Sequence, residues 1–561
     1  MTTLQNHRAR ACVLIVCALL LAACSGGGTG NGTSTGPGQT ATPATDPAAP
    51  DTTAGSETPV SGGTLRIGVE ADVAGLNPAG NVMPAVGRWM GEAVFDTLAK
   101  VGADGSAVPY LAASISPDAS LSNWTMTLRS GVKFHDGTPV NADAVIATFN
   151  GQLADPLIGL TVVPLFAKDN LIEKVDDLTV VYHLSSPSSV FPLRLTTQLG
   201  VVASKKWLDE VASNPDKAQE PVGSGPFKFD KRTKDSMTRF VRNDDYWNGK
   251  PFLDAVEFYP VPDSLTRADQ LSVGDLDMLH APGALTELPD DDVIKSAYDK
   301  NGEEGYLAMN TSKPPFNDIR VRKAFTYTFR QKDFLAAVNA TAADAANQMF
   351  DTTSRFFNPD LVQHTDSPDM VGDLITSYCA DVPDQCTDGR VNVTYSDTGP
   401  TPGTERNFAV LNDGWKTWFN VTPRYAAQDQ FVISTVTGDY EVTQFRLFGG
   451  IDPDLDRTFL LCASIGGIAV NVPRYCNPTI DELLAKQASS TDQDERARIW
   501  QEISQRIADD YTTIWEAHSN WRVAYNSTRV HGLCDAKGPA GEPLQCVVAG
   551  RTSLAQIWIT E

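Results

Sequence analysis

The sequence predicts a mixed α/β protein of several domains behind a short apolar leader. Three observations lead there. Strand-like alternation and four-residue helical spacing interleave from about residue 62 to the end, with no repeat at solenoid periods. A length of 561 residues is enough for about three to four domains. Apolar residues make up 42% of the chain, with 23 Phe, 14 Tyr and 10 Trp, which excludes general disorder. Charge sets further bounds. The 45 Lys+Arg against 69 Asp+Glu give a formal net charge of −24. A surface this acidic repels phosphate, so nucleic acid and anionic lipid are poor partners.

The leader comes first. His7, Arg8 and Arg10 open it, and Ala11 to Ala23 is apolar. That run is shorter than the roughly 20 residues of a spanning helix and fits a signal-peptide core over residues 1–23. It closes on Leu21-Ala22-Ala23-Cys24, followed by Ser25-Gly26-Gly27. Small residues ahead of such a Cys resemble a bacterial lipobox. Cys24 is then the expected lipidation site and first mature residue, because a multiply acylated Cys buries enough CH₂ for stable attachment. An ordinary cleavage site with an incidental Cys is the competing reading. Residues 24–61 hold Gly, Thr, Pro, Ala, Ser and Asp with no aromatic, Lys or Arg. They cannot bury enough apolar area to fold and are expected to act as a tether.

Two more of the nine cysteines, Cys12 and Cys17, lie in the leader. The other six are Cys379, Cys386, Cys462, Cys476, Cys534 and Cys546. Six cysteines allow about 15 connectivities. Proximity favours Cys379–Cys386, Cys462–Cys476 and Cys534–Cys546. Neither CxxC nor HEXXH occurs, and the seven His are scattered, so no metal or cofactor is expected.

In the body, Thr64 to Glu70 alternates as a half-buried strand. Val86, Met90, Val94 and Leu98 recur every four residues, predicting a helix over 84–99. Trp124, Met126 and Leu128 alternate as a strand, and Asp136-Gly137-Thr138-Pro139 is a turn. Asn141 can cap a helix running to about Asn150. Thr479 to Glu482 has capping-box spacing. Ile499, Ile503 and Ile507 share one face of a helix over 492–510, with Trp500 beside them.

Five motifs then carry a resemblance. They are Phe95-Asp96-Thr97-Leu98 with the run from Trp124 through His135-Asp136-Gly137 to Val145, Gly223-Ser224-Gly225-Pro226-Phe227, Asn243-Asp244-Asp245-Tyr246-Trp247, Pro315-Phe316-Asn317-Asp318-Ile319-Arg320-Val321-Arg322-Lys323-Ala324, and Tyr475-Cys476-Asn477-Pro478 to Leu484. In this order, the chain resembles the extracellular solute-binding proteins of family 5, the peptide, oligopeptide and nickel receptors of ABC importers. Residues 340–432 match weakly. His135-Asp136-Gly137 reads as a turn rather than a catalytic element, and Arg320, Arg322 and Lys323 as a salt-bridged helix face.

The resemblance implies a periplasmic-binding-protein-like, two-lobed α/β fold of class II type with an extra third domain. Ligand is held between lobes that close about a hinge. Lobe one is expected at 62–101, 223–309 and 520–561, the extra domain at 102–222, and lobe two at 310–519. In the family's peptide receptors a lobe-two carboxylate holds the peptide α-amino group. Counting back from Phe459 without gaps puts Asp452 there and Arg446 where oligopeptide receptors carry an Arg. Aligning on Asp452-Pro453 puts Gly449 there and removes the anchor. Phe448, Glu70, Ala71, Tyr306 and Trp415 complete the candidate lining, with Asp72 and Trp418 behind them. Cys462 and Cys476 bracket Gly466-Gly467 as in the dipeptide-receptor version.

The expectation is a monomeric, lipid-anchored receptor on the outer face of the bacterial cell membrane, with no catalytic residues and no cofactor. It would capture short peptides and pass them to an ABC permease and its ATPase subunits. A sugar, an opine-like compound or a metal chelate is the alternative ligand. A secreted hydrolase would need HEXXH or a clustered catalytic set, and neither is present. A sensor or adhesin on the same fold is the remaining rival.

Overall fold

A computed structural model describes residues 58–281, 288, 291–299, 303–338, 340, 342–447 and 451–560. The leader, Cys24, nearly all of the tether, Phe448 and Gly449 lie outside the described residues.

Two large sheets organise the chain. The first has seven strands in the order Ile294–Tyr298, Arg522–Asn526, Met278–Ala281, Thr64–Val69, Ala255–Pro260, Met237–Arg242, Phe227–Thr233. Thr64–Val69 runs parallel to both its neighbours. Its alternation places Leu65, Ile67 and Val69 against Trp89, Met90 and Val94 of the helix Ala85–Val94. That helix stops before Leu98, short of the span its periodicity predicts. Phe95 is already extended, and Ala99–Val101 pairs with Ala107–Pro109.

The second sheet has the order Cys386–Thr387, Arg390–Thr398, Val442–Leu447, Glu303–Met309, Thr513–Ser519, with Phe419–Ala426 beside Arg390–Thr398. One face packs Leu307, Phe325 and Trp415. The other packs Tyr306, Trp500 and Trp515 under the helix Gln493–Asp509. Asp492 caps that helix, and Ile499, Ile503 and Ile507 are its buried stripe. The preceding helix, Pro478–Ser489, is capped by Asn477 and not by Thr479, because Pro478 supplies a preset φ at the first helical position.

A third unit sits on the first. Its sheet runs Ala112–Pro117, Asn123–Leu128, Thr179–His183, Ile172–Lys174. Trp124, Phe149, Phe166, Tyr182 and Phe191 fill its core. Asn141 accepts from the Ala144 N–H to start the helix Ala142–Ala154.

The chain crosses between the two large sheets at Tyr298 to Glu303 and returns at Ser519 to Arg522. The crossings touch: the Asp299 N–H donates to the Trp521 carbonyl at 2.8 Å. Glu303–Met309, placed in lobe one from sequence, instead pairs with Val442–Leu447 and Thr513–Ser519. The first crossing therefore precedes Glu303 rather than following Met309.

The sequence motifs meet in one buried knot. Asp96 accepts from Ser224 Oγ, Tyr246 OH and Trp247 Nε1, each at 2.9 Å. Burial pushes the Asp96 carboxyl up to about 6, while those donors and Lys100 pull it back. His135 Nε2 lies 2.9 Å from the Gly225 carbonyl oxygen, so it is a structural contact. A Cβ on Gly223 would sit 2.0 Å from the Val94 carbonyl oxygen, so only glycine fits. Arg320 pairs with Asp318 and Asp381, and Arg322 donates to the carbonyls of Asp510 and Phe316. The disulfides are Cys379–Cys386, Cys462–Cys476 and Cys534–Cys546.

Candidate functional site

The space between the lobes, beside the two crossings, is lined by charge. Glu70 directly follows the strand Thr64–Val69 of the first sheet and is half-buried. Burial pushes its carboxyl up to about 7, against the opposing pull of Arg267 and Arg446. Arg446 comes from the second sheet, on Val442–Leu447. Its Nη1 lies 2.6 Å from Oε1 of Glu303, which is 1% exposed. Burial pushes Glu303 up to about 7 as well, with Arg446 and Trp521 opposing. Arg446 and Glu303 of the second sheet thus form an ion pair whose charges reach Glu70 of the first, with Ala71 next in sequence.

Charge of the second lobe also reaches Arg88, on the helix Ala85–Val94. Its Nε donates to the Met83 carbonyl at 3.0 Å. Burial and the nearby Arg551 bring its guanidinium down to about 10, and Asp456 of the second lobe acts in the opposite direction. The third unit also reaches lobe two. Arg194 Nη2 donates to Asp454 Oδ2 at 3.1 Å, and Ser189 bonds the carbonyls of Ala488 and Ser490. Asp454 is fully buried; the charges of Arg457 and Arg194 hold its carboxyl below the usual range despite burial.

Several sequence candidates have other work. Asp452 does not present a carboxylate to ligand. Its two oxygens each take a 2.6 Å bond from the buried Arg496. One of them also accepts from the Asp454 N–H to cap the helix Pro453–Phe459. A carboxylate held in this bidentate way is already neutralised. Trp415 is core: it is fully buried and stacks on Phe325 at 4.3 Å. Trp418 packs against the same cluster. Tyr306 is 2% exposed, with its ring 5.4 Å from Trp515 and 5.9 Å from Phe445. It borders a small cavity of ≈20 Å³ inside lobe two rather than the interlobe space. Asp72 is paired with Arg232 at 3.0 Å. Arg446 keeps its place at the interface but is already matched by Glu303.

Sequence reasoning missed Arg88, Glu303, Glu304 and Asp456. Glu303-Glu304, an acidic pair opening a strand that is otherwise apolar, was the available signal. Among the described residues, no group of three His, Cys, Asp or Glu is arranged to hold a metal ion. No helix among them is long and apolar enough to cross a membrane.

The chain is thus two sheet-based lobes joined by paired crossings, with a third unit on the first. Bacterial extracellular solute-binding proteins, family 5, match residues 106–456, and the chain belongs to that family, whose members bind solutes rather than transform them. It is 27% identical over 422 residues to heme-binding protein A of Haemophilus influenzae, covering 71% of this chain and 76% of that one. It is 26% identical over 441 residues to the probable D,D-dipeptide-binding periplasmic protein DdpA of Escherichia coli, covering 74% and 80%. The fold is that of the periplasmic binding protein DppA of Helicobacter pylori in complex with the peptide STSA. The TM-score is 0.75 at 22% identity, covering 90% of this chain and 99% of that one.

Proposed function

We propose that the protein is the solute receptor of an ABC importer, exported and anchored through Cys24, and that its ligands are short peptides. The observation that carries this is the Arg446–Glu303 ion pair beside the first crossing, whose charges reach the Glu70 carboxyl of the other lobe. Closure there removes polar groups from water, which suits a ligand carrying its own charges and hydrogen-bond groups. The peptide assignment draws support from relatives named for peptide binding. Delivery to a two-subunit permease is part of the same reading.

One observation favours a second ligand reading. Asp452 is held by Arg496, which fits the alignment that puts Gly449 at the amine-anchoring position. The family's usual handle for a free peptide amine is then missing from that position. A solute other than a free-amino peptide, such as an opine-like compound, fits that arrangement.

Native mass spectrometry of the purified full chain, followed by calorimetry with the co-purified species, tests both. A bound mass matching di- to tetrapeptides supports the first reading, and a single non-peptide mass overturns it. Anchoring is tested separately. Cys24→Ala is expected to move the protein from the membrane fraction to the soluble fraction, and retention in the membrane overturns that part.

A further inference from the structure

The third unit sits on the first lobe, yet one of its segments bonds directly to the second. That segment, residues 188–200, is rooted on its own side. Phe191 and Leu195 are buried in the core of the third unit. The Leu98 N–H donates to the Gly200 carbonyl at 2.8 Å. Gln198 Oε1 accepts from the Met83 N–H at 2.9 Å, and its Nε2 donates to the carbonyls of Asn81 and Pro78 at 2.7 and 3.1 Å. These bonds make the segment one body with the first lobe and tie it to the loop ahead of the helix Ala85–Val94.

The same segment meets lobe two at two points. Arg194 is 8% exposed. Its Nη2 donates to the Asp454 carbonyl and, at 3.1 Å, to Asp454 Oδ2, and its Nη1 donates to the Leu455 carbonyl at 3.4 Å. The Ser189 N–H donates to the Ala488 carbonyl at 2.7 Å, and Ser189 Oγ to the Ser490 carbonyl at 2.6 Å. Ala488 lies in the last turn of the helix Pro478–Ser489, where carbonyls have no partner within the helix. Ser189 therefore caps a lobe-two helix from another part of the molecule.

Lobe two is provided for without these bonds. Asp454 also accepts from Gln487 Nε2 at 2.5 Å and Arg457 Nη1 at 3.5 Å, both in its own lobe. Carbonyls at a helix end can turn to water. The two halves of the contact ride on bodies that the chain joins at the two crossings. Parting the lobes about those crossings sends Arg194 to water and leaves Asp454 its own-lobe partners, so no buried charge is stranded. The contact is thus built to be broken and remade. The Asp452–Arg496 pair, which lies wholly within lobe two, is not.

We propose that the third unit is a clasp on the two lobes, with Arg194 as its bolt and Ser189 as a second point of hold, and that it keeps part of the population closed with no solute bound. This rests on the receptor reading above, in which the lobes open and close, but not on the identity of the solute. The clasp acts on closure rather than on solute chemistry, so its loss weakens the binding of every solute by one common factor.

The test is hydrogen exchange of the purified full chain, freed of solute by unfolding in urea and refolding, with protection resolved at the amide of residue 189. The wild type is expected to protect this amide. Arg194→Ala removes charge-assisted bonds, so opening should become about tenfold more frequent or more, and protection at residue 189 should fall by that factor. Arg194→Lys keeps the charge without the planar fork and should fall between the two. Ser189→Ala keeps the N–H and loses the Oγ bond. It should lower protection at the same amide about threefold, which keeps the test decisive should Arg194→Ala fail to fold. The strand Thr179–His183 in the same unit should keep its wild-type protection in every variant. A loss there as large as at residue 189 shows that Arg194 holds the third unit itself together and overturns the proposal. An unprotected Ser189 amide in the wild type, or protection that the variants leave unchanged, also overturns it. The receptor reading stands or falls on the co-purified mass, and these exchange rates are read without any solute, so the two failures are distinct.

Discussion

Asp452→Ala gives the sharpest contrast between what the alignment suggests and what the packing requires. As a ligand anchor, Asp452 would be dispensable for the empty protein. In the structure it is half of a buried ion pair. Both oxygens take 2.6 Å bonds from Arg496, whose side chain is fully buried. Removing Asp452 leaves that guanidinium with only neutral acceptors, Gln487 Oε1 at 3.0 Å and Gln493 Oε1 at 3.2 Å. Stranding one member of such a pair costs about 3–5 kcal/mol. Loss of the cap on Pro453–Phe459 adds about 1 kcal/mol. Asp452→Asn keeps a capping oxygen and lacks the charge, so it should recover only the smaller part. The double variant Asp452→Leu with Arg496→Met should recover most of the loss, since no charge remains buried. Urea unfolding followed by tryptophan fluorescence reads this directly, because Trp500 Nε1 bonds the same Gln487 oxygen. With a denaturant slope of about 1–3 kcal/mol per M, the midpoint should fall by about 1 M or more. If Asp452→Ala unfolds at the wild-type midpoint yet loses ligand, the pair is incidental and the ungapped alignment was the right one.

Three further outcomes follow from the packing. Glu516 is 1% exposed on Thr513–Ser519, and burial pushes its carboxyl up to about 8. An unfolded Glu titrates near about 4.3. The folded state therefore holds this proton more tightly, and the contribution is fully present below about pH 4 and lost as pH rises through about 8. The melting temperature of Glu516→Gln minus that of wild type should grow between pH 5 and pH 8.5; a difference that stays constant with pH contradicts the assignment. Gly223→Ala should lower the urea midpoint by the equivalent of about 1–3 kcal/mol, since its Cβ has no space against Val94, and a neutral result would show that the backbone there can yield. Non-reducing peptide mapping should recover the three local disulfides, and a free thiol at Cys462 or Cys476 would contradict the pairing.

The elements most legible in the sequence are those whose pattern is local. Leu65, Ile67 and Val69 alternate because one face of their strand meets the helix Ala85–Val94. Ile499, Ile503 and Ile507 mark a face because a 17-residue helix covers a sheet. Residues with a side-chain oxygen could be picked as caps, as at Asn141. Periodicity failed where a long-range contact competed with it. The run Val86 to Leu98 reads as one helix, but Asp96 is drawn into a knot with Ser224, Tyr246 and Trp247, residues 128 to 151 positions away. The chain turns extended at Phe95 to reach it. The boundary of lobe one failed for a related reason. Glu303–Met309 follows a lobe-one strand in sequence, and only its pairing with Thr513–Ser519 reveals that the crossing has already happened.

The site was legible to a lesser degree, and the reason is electrostatic. A carboxylate in a sequence carries no mark of its partner. Asp452, Asp454 and Asp456 lie two apart on one short helix, and three different environments divide them. Asp452 faces inward to Arg496, and Asp454 is buried against Arg194 of the third unit, Arg457 and Gln487. The charge of Asp456 reaches Arg88 of the first lobe and Glu304. A motif places all three together, but only the positions of Arg194 and Arg496, 258 residues before and 44 residues after Asp452, commit Asp454 and Asp452 to the packing. The Glu303-Glu304 pair divides in the same way: Glu303 has Arg446, while burial and neighbouring acids hold the Glu304 carboxyl well above the usual range.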